Sequence, residues 1–171
     1  MYWLALQGAK WDAAAPTGIA AAQISGTTLH ALLLADTHLQ SSLINDPERL
    51  SRFCDTEGFI IDEFAMLNCK VMELLMELCH EFPLNPSKRL PGALPHFGYR
   101  SVLICGDLRQ VPPSSMEDAQ PFWSSATFQN LFEIFWLRED ESTPESPPPQ
   151  NNTKTNPQLM LISFLISTGF F

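Results

Sequence analysis

Two short apolar runs, each broken off by acid, constrain this chain more than any other feature. Gly58-Phe59-Ile60-Ile61 ends in Asp62-Glu63, and Ser101-Val102-Leu103-Ile104-Cys105 ends in Gly106-Asp107. Apolar runs of this length without polar alternation suit strands buried on both faces, as in a parallel sheet covered by helices. Between them Leu67, Val71, Leu74, Leu75, Leu78 and Phe82 recur at helical spacing, which predicts a helix over residues 66–82 with one apolar stripe. Lys70, Glu73, Glu77 and Glu81 lie mostly off that stripe, and Pro83 and Pro86 end it. Prolines and glycines make 83–98 a loop. A strand over 10–15, a helix near 123–132 and a strand over Ile134–Leu137 extend the alternation. Strand and helix in turn predict an α/β fold built on a mostly parallel sheet with flanking helices.

The 171 residues fit one domain, since roughly 100–200 is usual for one. With 45% hydrophobic and 11% aromatic residues the chain can bury a core, which excludes wholesale disorder. A formal net charge of −9 counts against a protein that grips nucleic acid by overall positive charge. Cys54, Cys69, Cys79 and Cys105 form no C-x-x-C pair and read as reduced thiols of an intracellular protein. His30, His38, His80 and His96 lack zinc-ligand spacing. The N-terminus is a poor signal peptide. The apolar C-terminus falls short of the roughly 20 residues a membrane span requires, so no membrane partner is expected. Composition breaks near Asp140. We expect a domain over 1–140, a Pro/Ser/Asn-rich linker or disordered tail over 141–158, and a short apolar end over 159–171 for which the sequence offers no partner.

Ligands of open α/β sheets bind beyond the carboxyl ends of the strands. A carboxylate there can hold hydrated magnesium, and a second beside it can orient or deprotonate a water attacking a phosphate. Asp62-Glu63 after an apolar strand has that form, although the same dipeptide also begins solvated turns. Ala15-Pro16-Thr17-Gly18-Ile19-Ala20-Ala21 reads equally as a phosphate-facing helix start or as a tight strand–helix connection. Gly106-Asp107-Leu108-Arg109-Gln110-Val111-Pro112-Pro113 sets acid, guanidinium and amide at a strand tip, or makes a surface turn.

Taken in order, Ala15–Ala21, Gly26-Thr27-Thr28-Leu29-His30, Phe59–Met66, Phe97-Gly98 and Gly106–Pro113 resemble the first RecA-like domain of Pif-one-type DNA helicases, a superfamily-one group that includes the Helitron-transposon helicases. The resemblance spans roughly residues 10–140 and implies a RecA-like, P-loop NTPase-type sheet. It implies that Asp62 binds magnesium on ATP, that Glu63 activates the hydrolytic water, and that Gln110 senses the γ-phosphate. Gly106 and Asp107 would shape that last motif. Thr17, Gly18, Thr28 and His30 fall in motifs that line the path of single-stranded DNA, where hydroxyls, imidazole and backbone amides bind phosphates without reading sequence. The family's activity is ATP-driven 5′-to-3′ unwinding at duplex junctions, used in repair, recombination and telomere maintenance. Its usual address is the nucleus, with the mitochondrion as the alternative.

One family element has no counterpart. A P-loop requires G-x-x-x-x-G-K-[ST], whose amides wrap phosphate while lysine reaches the β/γ oxygens. No glycine in this sequence precedes a lysine. The family sets this loop just ahead of the Ala-Pro-Thr-Gly segment, and its second RecA-like domain follows the region of Arg138. The expectation is therefore an incomplete RecA-like domain with little ATPase activity of its own. The rival reading is a non-enzymatic relic of a helicase or Helitron that binds DNA or a partner without hydrolysis.

Overall fold

A computed structural model describes residues 9–89, 95–107, 121–138 and 159–165. Its centre is a six-stranded sheet, ordered β2-β1-β3-β4-β6-β5. Here β1 is Trp11–Ala15, β2 Thr27–Thr28, β3 Gly58–Ile61, β4 Ser101–Gly106, β5 Glu133–Arg138 and β6 Leu159–Leu165. The first four are parallel, with Ala14 opposite Thr27 and Ile61, and Ile61 opposite Ile104. Helices α1 (Gly18–Gln23), α2 (Leu29–Leu32), α3 (Pro47–Asp55), α4 (Cys69–Glu81) and α5 (Ala126–Leu131) connect the strands. Parallel neighbours require such crossovers, and the expected strand–helix alternation supplies them.

The predicted helix over 66–82 starts later than its apolar stripe. Phe64–Met66 instead forms a single 3-10 turn, Leu67 is extended, and the Asn68 side chain caps α4 by accepting the Lys70 N–H at 2.9 Å. The buried face carries Val71, Met72, Leu75, Leu78 and Cys79, so the stripe is rotated toward Met72 and Cys79 and away from Leu74. The helix expected near 123–132 shortens to α5, because Phe122–Ser124 is a 3-10 turn and Ser125 caps from there. One core joins both faces of this region. Phe64, Phe97, Phe122, Phe128 and Phe132 stack or meet edge-on with ring centroids 5.3–6.0 Å apart.

The strand expected at Ile134–Leu137 is β5, yet it does not lie next to β4. The apolar C-terminal segment does: β6 runs antiparallel to β4 and to β5 and separates them. The linker or tail expected over 141–158 lies outside the described residues. Among the described residues, no helix is long and apolar enough to cross a membrane.

The amino-terminal ends of the strands are clamped by Arg100, which is fully buried. Its Nε donates to the Thr56 carbonyl at 3.0 Å, and Nη2 donates to the carbonyls of Phe53 and Phe82 at 2.9 and 2.8 Å. These carbonyls belong to the last turns of α3 and α4, where unpaired C=O groups concentrate negative charge. The guanidinium also faces the Phe53 ring at 4.8 Å. Gly98, at φ +60°, lets the chain turn into this position, since a Cβ there would stand 2.0 Å from the Cys79 carbonyl oxygen.

Candidate active site at the carboxyl ends of the strands

The opposite edge collects the residues singled out above. β3 ends at Ile61, and the Asp62 N–H still donates to Ala14 of β1 at 3.0 Å, so Asp62 leaves the sheet directly at its rim. The Asp62 side chain turns back and accepts the Glu63 N–H through Oδ1 at 2.9 Å. That bond accompanies an uncommon backbone at Glu63, φ 56° and ψ 41°, in the left-handed region. Side chains with a Cβ adopt this conformation at a cost, and it recurs where a group is held for function. Glu63 is part-buried, and its Oε2 has no hydrogen-bond partner. A buried carboxylate oxygen without a donor is expensive in a closed core and is suited to an incoming water or cation.

The tip of β4 packs against this turn. Gly106, at φ +154°, is buried so closely that a Cβ would lie 2.7 Å from the Phe64 amide nitrogen and 3.3 Å from the Glu63 carbonyl carbon. Glycine is required here so that the two strand tips can meet. Asp107 follows, half-exposed at the same rim. Burial, with the Asp62 charge adding to it, pushes the Cys105 thiol up to about 11. Gln110 and Arg109 lie outside the described residues.

Thr17 and Gly18 stand at the tip of β1. The Thr17 hydroxyl oxygen caps α1 by accepting the Ala20 N–H at 3.3 Å, and Gly18 is exposed with open space around its Cα. Thr28 ends β2 and caps α2 through the Ala31 N–H at 3.2 Å, placing His30 on the exposed side of that turn. Sheet order therefore sets Thr28 and His30, Thr17 and Gly18, Asp62 and Glu63, and Gly106 and Asp107 along one edge. At the usual spacing of neighbouring strands that row spans roughly 14 Å. Sequence reasoning passed over two residues: Arg100, whose isolated charge ahead of an apolar strand was the available signal, and Ile19, an apolar neighbour of Gly18 that is 80% exposed.

A family model described as PIF1-like helicase matches residues 4–134. The chain belongs to this family. It is 29% identical over 136 residues to the ATP-dependent DNA helicase Pif1 of Psychrobacter sp. (strain PRwf-1), covering 73% of this chain and 19% of that protein. It is 30% identical over 114 residues to the ATP-dependent DNA helicase PIF1 of Mus musculus, covering 64% of this chain and 16% of that protein. Among solved structures, the Pif1 helicase from Candida albicans superposes with a TM-score of 0.60 at 21% identity, over 75% of this chain and 29% of that one. Bacteroides Pif1 bound to ssDNA gives 0.57 at 22%, over 80% and 33%. At such identity the structural likeness is one of fold, and it agrees with the RecA-like sheet expected from the sequence. The chain spans less than a fifth of those curated relatives.

The site fits part of what such an enzyme must hold. Asp62 and Glu63 offer adjacent carboxylates at a strand rim, one with an unpartnered oxygen, as hydrated magnesium and an attacking water would require. The phosphate-wrapping loop is a different matter, since no G-K pair occurs in the sequence.

Proposed function

We propose that this chain is a segment of the ATPase core of an ATP-dependent DNA helicase, and that the Asp62–Glu63 rim is its hydrolytic edge. The unpartnered Oε2 of Glu63, held beside Asp62 at the tip of β3, carries this reading. Asp62 would hold magnesium, which when bound neutralises charge on the transferred phosphate. Glu63 accepts a proton from a water at Oε2, a task its fixed left-handed backbone prepares by aiming the carboxylate. Gly106 keeps the β4 tip against the same turn, so that a change at Asp107 is transmitted to Glu63 through backbone contact. Thr17, Gly18, Thr28 and His30 extend the edge as a run of hydroxyl, amide and imidazole donors for a phosphate backbone. Bacteroides Pif1, solved in complex with ADP-AlF4 and bound to ssDNA, supports these partners. Duplex junctions, 5′-to-3′ polarity and service in repair, recombination or telomere maintenance belong to the same proposal and rest on family membership.

The chain itself should bind single-stranded DNA weakly and turn over no ATP, because its sequence supplies no phosphate loop. Steady-state phosphate release with single-stranded DNA present is the test. Robust turnover abolished by Glu63→Gln would overturn the inactivity and uphold the role of Glu63. Fluorescence anisotropy with a labelled oligonucleotide tests the DNA edge; unchanged affinity in a Thr28→Ala, His30→Ala double variant would remove those residues from it. The missing loop favours one second reading, a non-enzymatic DNA-binding relic, which predicts affinity indifferent to nucleotide.

A further inference from the structure

The donors assigned to the DNA edge carry no fixed positive charge: Thr17 and Thr28 offer hydroxyls, Gly18 a backbone amide and His30 an imidazole. A phosphate backbone draws most of its affinity from Lys and Arg. Such charges line a cleft beside β2, the outermost strand of the sheet. The cleft has a volume of about 180 Å³ and is lined by Asp12, Thr27, Leu32, Arg49, Arg52 and Phe53 among others. Helix α3 forms one wall. Its last residue, Asp55, meets Lys10 and Lys88 at the amino-terminal rim, so its first turn, with Arg49, lies toward the carboxyl rim. There Arg49 Nη1 donates to the Ala31 carbonyl of α2 at 3.4 Å, one residue past His30. Arg52 follows on the same face of α3, and its Nη2 donates to Asp12 near the start of β1.

We propose that this cleft is a phosphate-binding extension of the DNA edge, in which a single strand leaving His30 turns over β2 and sets backbone phosphates on Arg49 and Arg52. The proposal rests on the reading of Thr28 and His30 as DNA contacts, and adds two residues outside the motifs that carry the resemblance. Both guanidiniums are available. The Arg49–Asp46 pair is 3.6 Å long with side chains 56% and 41% exposed, and an exposed pair of this kind holds little energy. The Arg52 side chain is 74% exposed, and its partner Asp12 also accepts from the Thr56 hydroxyl, so the carboxylate is answered without the whole guanidinium fork. The lining thus sets two guanidiniums against one carboxylate, a net positive cleft in a chain of net charge −9. At positions i and i+3 the two residues stand roughly 5–6 Å apart at Cβ, and each fork can take the oxygens of a separate phosphate. Leu32 and Phe53 supply an apolar floor for the sugars.

Fluorescence anisotropy with the full-length chain tests the proposal, using labelled single strands of about six and about twelve nucleotides, each titrated from low to high salt. The parent should bind the longer strand more tightly and with the steeper salt dependence. Arg49→Gln and Arg52→Gln should each weaken the longer strand about threefold and lower its salt slope by about 0.7, the share of one phosphate contact on a single strand. Arg49→Lys keeps the charge and should restore the slope. Lys88→Gln removes one charge at the amino-terminal rim and should leave the slope as it is. Unchanged slopes in both glutamine variants, while the Thr28→Ala, His30→Ala double variant still binds more weakly, would overturn the cleft and keep the edge. Equal losses on the short and the long strand would place the arginines within the edge and overturn the extension. An equal fall in Lys88→Gln would reduce the effect to net charge and overturn the cleft as well. A parent chain without affinity for either strand would overturn the cleft and the DNA edge together.

Discussion

The two ends of the same parallel strands differ in how their charges are paired. At the amino-terminal end almost every charge is answered. Arg100 donates to three helix-end carbonyls through Nε and Nη2, with Nη1 buried and unpartnered, Asp12 accepts from Arg52 and from the Thr56 hydroxyl, and Asp55 lies 3.1 Å from both Lys10 and Lys88. At the carboxyl end a carboxylate oxygen of Glu63 is buried without a partner, Glu63 sits at positive φ as Phe97 and Tyr99 do ahead of β4, and the Thr17 and Thr28 hydroxyls cap short helices. Ion pairs and buried hydrogen bonds concentrate at one rim, and the proposed chemistry lies at the other. Such a division follows from covalent continuity, since a strand anchored at its start can carry a strained turn at its tip.

Removing the anchor should produce the largest effect. Arg100→Met deletes three hydrogen bonds to buried or part-buried helix-end carbonyls, and should destabilise by about 3–5 kcal/mol in denaturant unfolding. Arg100→Lys should recover little, because an ammonium lacks the planar fork that spans Thr56 and Phe53 together. A loss below about 1 kcal/mol would erase the contrast between the rims. Next comes Gly106→Ala. The added Cβ meets the Phe64 amide nitrogen at 2.7 Å while φ stays at +154°, so overpacking and backbone strain combine to about 2–4 kcal/mol. The cost should appear at the carboxyl rim, as increased exchange of the Glu63 and Phe64 amides.

How much of this was legible in the sequence differs between the rims. The carboxyl rim was legible, because strand-end acids, helix-capping hydroxyls and a required glycine are local in sequence, and their order alone set them on one edge. Gln110 belongs to that reading and lies outside the described residues. The amino rim was not legible, because Arg100 meets Phe53, Thr56 and Phe82 only after the chain has crossed the sheet, and no spacing encodes that meeting. The start of α4 was misplaced for a related reason. Leu67 fits the apolar period, but Asn68 caps the helix one residue later and Phe64–Met66 is drawn into the turn beside Gly106. β6 was missed since an isolated apolar run carries no sign of which strands it will pair with.

Two thiols, one at each rim, sharpen the comparison through pH. Burial pushes Cys79, beside Arg100, up to about 12, and Cys105, beside Asp62, up to about 11, from an ordinary 9.0. Above pH 9 the unfolded chain releases these protons while the folded chain keeps them. Stability is therefore full below pH 9 and falls as pH rises through the folded values. For Cys79 the slope approaches about 1.4 kcal/mol per pH unit, and for the less buried Cys105 it should be shallower. Unfolding midpoints measured between pH 8 and 10.5 should fall, and Cys79→Ala should flatten the curve more than Cys105→Ala. Equal flattening would mean that the two rims are equally closed.

The smallest effect has the opposite sign. Glu63 holds φ 56° with a side chain that gains nothing from its surroundings at Oε2, so Glu63→Gly should stabilise the chain by about 1 kcal/mol. Two companions separate the causes. Glu63→Ala keeps the strained backbone and removes the carboxylate, so its difference from Glu63→Gly measures strain alone. Glu63→Gln keeps the length and removes the charge, so its difference from the parent measures the cost of charge on a part-buried carboxyl with one unpartnered oxygen. Urea midpoints at pH 7 resolve differences of this size when the dependence on urea is unchanged. If Glu63→Gly destabilises instead, the carboxylate has a partner in solution and the carboxyl rim is closed like the other. A gain in stability would mean that this rim holds Glu63 in a conformation with no structural return, as expected of a group positioned for a water or a cation that arrives from outside.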